Sequence, residues 1–170
     1  STGQIPLYYN CPPSGRACDE YYGIVNEYFV NYHDLDGSPL FPFGYGLSYT
    51  EFTYSPLSRE NKKLSLEALE NGEKFTVSVD VTNIGDFDAK ETVQLYIRDN
   101  FSKFTRPIKE LKGFSKQLIK KGETKTVTFT VGYDELGYFN PKEFAVEKGE
   151  FTVYIGENCL TKRSITIEVI

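Results

Sequence analysis

Phe75-Thr76-Val77-Ser78-Val79-Asp80-Val81-Thr82 is the stretch that decides the fold. Apolar side chains stand at 75, 77, 79 and 81, and polar ones fill the positions between. A period of two sends successive side chains to opposite faces of an extended strand. Such a strand has a core on one side and water on the other. The same pattern recurs downstream. Val93, Leu95 and Ile97 alternate with Thr92, Gln94, Tyr96 and Arg98, and Val127, Phe129 and Val131 alternate with Thr126, Thr128 and Thr130. Phe151, Val153 and Ile155 alternate with Thr152 and Tyr154, and Ile165, Ile167 and Val169 close the chain. Residues 108–114 form a shorter candidate, and either 51–54 or 64–66 supplies a first strand, for about seven in all. Asn83-Ile84-Gly85-Asp86, Lys120-Lys121-Gly122-Glu123 and Glu147-Lys148-Gly149-Glu150 read as turns between them. Residues 134–140 have room for one helical turn.

β-branched and aromatic residues dominate these runs, which suits pleated, half-buried surfaces. No stretch of helical period separates them, so βα units are excluded in favour of two antiparallel sheets packed face to face. Phe75 and Phe129 are assigned to the core between the sheets. A disulfide-type immunoglobulin domain does not fit. Cys11, Cys18 and Cys159 do not fall on strands that a cross-sheet bridge joins, and there is no Trp. The expected fold is an all-β, immunoglobulin-like sandwich of the bridge-free fibronectin type III kind, preceded by an irregular N-terminal arm.

The arm is residues 1–50. It holds five acids (Asp19, Glu20, Glu27, Asp34, Asp36) against one base, Arg16, and 11 of the 26 Tyr and Phe residues. Residues 51–170 hold 19 acids and 18 bases. In the arm, 5–9 reads as one strand with Pro6 at its edge, 11–15 as a loop, and Asp34-Leu35-Asp36-Gly37-Ser38-Pro39 as a turn. Phe41-Pro42-Phe43-Gly44-Tyr45-Gly46 is expected to be extended and non-helical. So many rings with so little regular pattern imply a segment that packs on further polypeptide. The chain contains no Met and starts at Ser1, without a signal-peptide pattern, so it is read as part of something longer.

Several functions are excluded by composition. The net charge of −5 argues against a binder of phosphate backbones. No apolar run approaches the ~20 residues of a membrane span. Three cysteines allow at most one intrachain bridge; Cys11 and Cys18 are open to pairing, and the spacing leaves that undecided. No second Cys/His pair completes a zinc site, and His33, the one histidine, reads as a surface or interface side chain.

Catalytic patterns are incomplete. Gly46-Leu47-Ser48 begins a nucleophile elbow but lacks its last Gly and its strand-turn-helix setting. Gly44-Tyr45-Gly46 begins a dinucleotide-type pattern, with Tyr49 where the third Gly belongs. The pairs Asp34/Asp36 and Asp86/Asp88 read as turn formers, with too few oxygen ligands for calcium. Asn100-Phe101-Ser102 is a glycosylation sequon. Tyr8, Tyr9, Tyr21, Tyr22, Tyr45 and Tyr49 are candidates for stacking on sugar, against the plainer reading that they pack on protein. No catalytic, cofactor-binding or metal-ligating residue is assigned.

Pro39-Leu40-Phe41-Pro42-Phe43-Gly44-Tyr45-Gly46-Leu47-Ser48-Tyr49-Thr50-Glu51-Phe52 resembles the signature joining the α/β domain of family-3 glycoside hydrolases to their C-terminal fibronectin type III-like domain. Gly3-Gln4-Ile5-Pro6-Leu7-Tyr8-Tyr9-Asn10 is similar to the last strand of that α/β domain. Glu91-Thr92-Val93-Gln94-Leu95-Tyr96-Ile97, Arg106-Pro107-Ile108-Lys109-Glu110-Leu111-Lys112-Gly113-Phe114 and Val146-Glu147-Lys148-Gly149-Glu150-Phe151 follow the same domain's pattern in order. The resemblance implies that 1–50 is the tail of the α/β domain with its linker, and 51–170 the sandwich. It implies a parent β-glucosidase or β-xylosidase whose catalytic Asp and Glu lie upstream of residue 1, so that this part is non-catalytic. The implied partners are the parent's barrel and α/β domains, and the implied location is secreted or periplasmic. Neither catalytic motif has a counterpart here, and the Cys11–Cys18 loop matches no family feature. The alternatives are a stand-alone carbohydrate-binding or adhesion module, with oligosaccharide as partner, and an autonomous enzyme. The arm is also expected to support self-association if its rings find no other cover.

Overall fold

The computed structural model describes residues 41–59, 63–104 and 106–170. Two sheets pack across one core. The smaller sheet has β4 (Phe75–Asn83) at its centre. On one side β4 pairs antiparallel with β7 (Thr124–Val131), from Phe75↔Val131 to Thr82↔Thr124. On its other side lie β1 (Phe52–Tyr54) and β2 (Ser58–Arg59), two pieces of one edge separated around Pro56, which has no backbone N–H to give. The larger sheet runs in the order β3 (Lys63–Leu64), β11 (Ser164–Val169), β10 (Gly149–Gly156), β5 (Ala89–Asp99), β6 (Glu110–Ile119). All its pairings are antiparallel except β3 with β11. Among the described residues, counting β1 and β2 together, seven strands carry the sandwich, with the short β3 added at one edge.

The alternation read from the sequence sets the core. Phe75, Val77, Val79 and Val81 are buried against Val93, Leu95, Ile97, Val127, Phe129, Val131, Phe151, Val153, Ile155, Ile167 and Val169. Phe75 and Phe129 therefore sit where they were assigned. Burying a side chain of this size contributes roughly 1.5–3 kcal/mol.

Four readings need correction. The strand expected over 108–114 is β6, and it begins later and runs to Ile119. Its second half, Phe114-Ser115-Lys116-Gln117-Leu118-Ile119, breaks simple alternation because its outward positions carry Phe114 and Leu118. Residues 64–66 are not one strand. Leu64 ends β3, and Ser65 caps a short helix α1 (Leu66–Glu70) by accepting from Ala68 N at 3.4 Å. Residues 134–140 divide into the helical turn α2 (Tyr133–Leu136) and β8 (Tyr138–Phe139), which pairs with β9 (Phe144–Ala145). Lastly, 41–46 is non-helical but not extended throughout. Tyr45 N donates to Pro42 O at 2.9 Å, closing a tight turn whose third residue, Gly44, has φ +79°.

Candidate functional site

The residues that carry binding chemistry gather on the outward face of the larger sheet. β10 stops opposite Gln94, so β5 continues from there with one neighbour fewer. Residues 43–50 cross this face and are pinned at both ends. Near the start, Cys159 N donates to Phe43 O at 3.1 Å and Gln94 Nε2 donates to Gly44 O at 2.9 Å. Gln94 Nε2 also donates to Glu157 O at 2.7 Å, while Gln94 Oε1 accepts from the Tyr96 hydroxyl at 2.5 Å. The Phe43 ring meets Tyr96 edge-on at 6.4 Å. A Cβ on Gly44 would strike Gln94 Oε1 and the Tyr96 hydroxyl, so close approach and left-handed backbone both demand glycine there. At the far end Thr50 Oγ1 donates to Asn83 Oδ1 at 2.7 Å. Asn83, fully buried, also donates to Phe87 O at 2.8 Å and Ile119 O at 2.9 Å, and so ties this segment to two turns.

Gln94 and Tyr96 were read as outward, polar-face residues. They do point outward, yet Tyr96 is only 1% exposed because 43–50 and the β10–β11 loop lie over it. Burial raises the Tyr96 hydroxyl above its ordinary pKa. Strand period cannot report a cover supplied by another part of the chain.

Between this segment and β6 lies an open groove of about 610 Å³. Tyr45, Leu47, Lys90, Glu91, Phe114 and Lys116 are among the residues that line it. Glu91 is held from within: the Tyr54 hydroxyl donates to its Oε1 at 2.5 Å. Burial foremost, then the charge of Glu157, lifts the Glu91 carboxyl above the ordinary range, against the pull of the Tyr54 bond. The Tyr54 hydroxyl is raised as well, by burial first and then by its bond to Glu91. Arg163 stacks over the Tyr54 ring at 4.5 Å and pairs with Glu157 at 2.9 Å. Sequence reading did not single out Glu91 and Glu157 as a pair; they are 66 positions apart. Both carboxylates are engaged in holding strands together.

The stretch 106–114 resolves into packing roles. Arg106 pairs with Asp99 at 3.0 Å, both side chains less than a tenth exposed, and stacks over Tyr138 at 4.6 Å. Lys109 is buried, donating to Cys159 O at 2.9 Å and Thr161 O at 2.8 Å, 4.0 Å above the Tyr154 ring. Burial lowers its pKa to about 8. For Glu110, burial pushes upward, but Lys112 at 2.8 Å and Arg106 outweigh it and hold the carboxyl below the ordinary range. Leu111 and Phe114 face outward onto the groove.

The remaining candidates are placed as follows. Asp86 and Asp88 serve a turn: Lys121 Nζ meets Asp86 Oδ1 at 2.7 Å and Lys121 N donates to Asp88 Oδ1 at 2.8 Å. The sequon's Asn100 is occupied, donating to Glu150 Oε1 at 2.7 Å and accepting from Thr152 Oγ1 at 3.1 Å. Tyr45 is half-exposed and Tyr49 is 95% exposed. Ser48 Oγ accepts from Thr50 N at 3.3 Å, a turn contact. Tyr8, Tyr9, Tyr21, Tyr22, Asp34, Asp36, His33, Cys11 and Cys18 lie outside the described residues. Among the described residues, no group of three or more His, Cys, Asp or Glu is placed to hold a metal ion, and no helix is long and apolar enough to cross a membrane.

Comparison with known proteins adds the following. Residues 91–159 match the fibronectin type III-like domain family. The chain is 40% identical over 157 residues to a periplasmic β-glucosidase of Salmonella typhimurium, covering 92% of the chain and 20% of that relative. It is 44% identical over 156 residues to thermostable β-glucosidase B of Acetivibrio thermocellus, again 90% of the chain and 20% of the relative. A β-glucosidase from Listeria innocua, solved in complex with glucose, superposes with a TM-score of 0.80 at 37% identity over 98% of this chain and 22% of that one. The chain thus spans about a fifth of the length of the curated relatives it matches.

Proposed function

We propose, for a chain that carries the fibronectin type III-like domain of family-3 glycoside hydrolases, a structural and non-catalytic role in a longer glycosidase. In this reading 51–170 is the sandwich, and 1–50 is the end of a preceding α/β domain with its linker. The parent is an exo-acting β-glucosidase or β-xylosidase, located in the periplasm or outside the cell by likeness to the relative named periplasmic. One observation carries the reading. The segment leading into the sandwich is bonded to it at Phe43, Gly44 and Thr50, yet turns Leu47 and Tyr49 outward, 89% and 95% exposed. A rigid connection with an apolar crest fixes the angle at which a neighbouring domain sits, and leaves apolar area for that neighbour to cover.

The carboxylates available at the groove support binding and packing more than turnover, since Glu91 and Glu157 already hold Tyr54 and Arg163. The test is the parent enzyme with residues 51–170 deleted. The expected result is loss of thermal stability together with activity on aryl β-glucosides or β-xylosides. Full activity with an unchanged melt would sink the structural role, and turnover by the isolated chain above a buffer blank would sink the non-catalytic one. A second reading, oligosaccharide binding, draws on the open rings of Tyr45 and Phe114 beside the groove. Titration with oligosaccharides while following Tyr fluorescence decides it.

A further inference from the structure

Asn71-Gly72 is the one Asn-Gly step in the sequence, and it lies just past α1. Such a pair is chemically special. Glycine has no Cβ, so its backbone nitrogen can close on the carboxamide of the residue before it. Both residues are exposed, and a Cβ built on Gly72 would meet nothing within 4 Å, so water and base reach the junction.

In the folded chain both reacting groups are occupied. Asn71 Nδ2 donates to Glu67 O at 2.8 Å, and Asn71 N donates to the same carbonyl at 3.0 Å. Gly72 N, the nucleophile, donates to Leu69 O at 3.0 Å. With ψ at 9°, Asn71 also turns the Gly72 nitrogen away from its own side chain, so ring closure needs a rotation about that bond. All these restraints end on α1. Five residues are too few to hold a helix by themselves. α1 persists through its Ser65 cap, through Leu66 N donating to Ile170 O at 3.0 Å, and through Leu69, buried in the core. When its last turn frays, carboxamide and amide are released together.

We propose that Asn71 is a site of spontaneous covalent modification, gated by α1. Base takes the proton of Gly72 N, and the nitrogen attacks Asn71 Cγ. The new C–N bond closes a cyclic imide as the Cγ–Nδ2 bond breaks, and Nδ2 leaves as ammonia with that proton. Water then adds to either imide carbonyl and reopens the ring, leaving aspartate or isoaspartate at position 71. The net exchange is carboxamide and water for carboxylic acid and ammonia, with no oxidant or cofactor. The product cannot restore the cap. A carboxylate has no N–H for Glu67 O, and its charge meets the carbonyl end of a helix in a run that already holds Glu67, Glu70 and Glu73. Isoaspartate also inserts a methylene into the backbone. The modification therefore holds α1 open and loosens Leu69. This inference is independent of the reading above.

The test incubates the full chain in mildly alkaline buffer, native and in urea. Position 71 is followed by peptide mass spectrometry with electron-transfer fragmentation, which separates isoaspartate from aspartate. In urea, Asn71 is expected to convert ahead of every other Asn. In buffer it should convert slower by on the order of tenfold or more, because the open fraction sets the rate. Ser65→Ala removes the cap of α1 and leaves Asn71-Gly72 intact. It should speed native conversion roughly three- to tenfold and leave the rate in urea unchanged. Asn71→Asp, the product made genetically, should speed hydrogen exchange at the amides of Leu69, Gly72 and Glu73, which bond within and just past α1. If another Asn converts first in urea, the assigned site is wrong. Equal rates in buffer and urea, or no change with Ser65→Ala, would show that α1 is not the gate. Unaltered exchange in Asn71→Asp would overturn the claim that the product holds α1 open.

Discussion

The sandwich has two outward faces, built from strands of similar length but to opposite specifications. On the smaller sheet, Thr76, Ser78, Asp80 and Thr82 of β4 stand opposite Thr130, Thr128, Thr126 and Thr124 of β7. Their polar groups bond across the strands: Ser78 to Thr128 at 2.9 Å, Thr82 to Thr124 at 2.7 Å, and Thr126 to Asp80 at 2.5 Å. That face has satisfied itself and needs only water. On the larger sheet the corresponding positions carry Gln94, Tyr96, Leu111, Phe114 and Tyr154, and residues 43–50 lie across part of them. The difference separates a face that is polar throughout from one that its own chain partly covers. The larger sheet's outward face is covered in part by its own chain, and where it is not it exposes Leu111, Phe114 and Leu118 among polar side chains.

The contrast can be broken or sharpened by mutation. The largest effect should come from the layer both faces share. Phe129→Ala empties a core position and should cost roughly 3–5 kcal/mol in urea unfolding; an unchanged midpoint would refute its place between the sheets. Next is the covered face. Gln94→Leu keeps the volume but leaves the Tyr96 hydroxyl, Gly44 O and Glu157 O without their partner. The expected loss is about 1–3 kcal/mol, with faster cutting by chymotrypsin at 43–49. If cleavage there is unaltered, Gln94 is not what pins the segment.

A smaller, pH-dependent effect should come from Lys109, the one lysine among the described residues that this face buries. Its folded pKa of about 8 lies below the ordinary 10.5, so between those values the unfolded chain holds more protons. Stability therefore rises with pH across that window, by at most about 1.4 kcal/mol per unit. Above pH ~10 the raised hydroxyl pKa values of Tyr54 and Tyr96 act the other way, because the unfolded chain then loses protons the folded one keeps. Chemical denaturation of the native chain from pH 8 to 9.5 should show the gain, and Lys109→Met should flatten it. Parallel slopes would mean that Lys109 is not the titrating group. The smallest effect belongs to the watery face: Thr128→Val should move stability by no more than about 0.5 kcal/mol. A loss of 2 kcal/mol in a thermal melt would show that the hydroxyl ladder is structural after all.

Legibility followed the same division. β4 and β7 were readable residue by residue because each has one core face and one water face, and period two records that directly. β5 was readable as a strand but not as a strand covered on both sides, since Thr92-Val93-Gln94-Leu95-Tyr96 alternates correctly even though Gln94 and Tyr96 are buried. α1 escaped because five residues hold too little periodicity; its signal was the Ser65 cap. The groove was legible only as quoted pieces, the ring-and-glycine run at 41–49 and the run at 106–114. Nothing in their spacing said that β6 would bring the second alongside the first. Arg106, Lys109 and Glu110 entered the sequence reading only within the run that carries the family resemblance, and their ion pairs and carbonyl contacts make them packing residues.

What the sequence determined by itself is the long strands β4, β5, β7, β10 and β11 and which side of each faces the core, because alternation is local and the hydrophobic effect acts on each side chain where it stands. The likeness to glycosidase modules was equally local, carried by contiguous runs. What only the tertiary structure decided is which outward face stays wet. That depends on a crossover segment, a loop and a neighbouring edge strand meeting on one surface, and burial by distant residues leaves no period in the strand it covers.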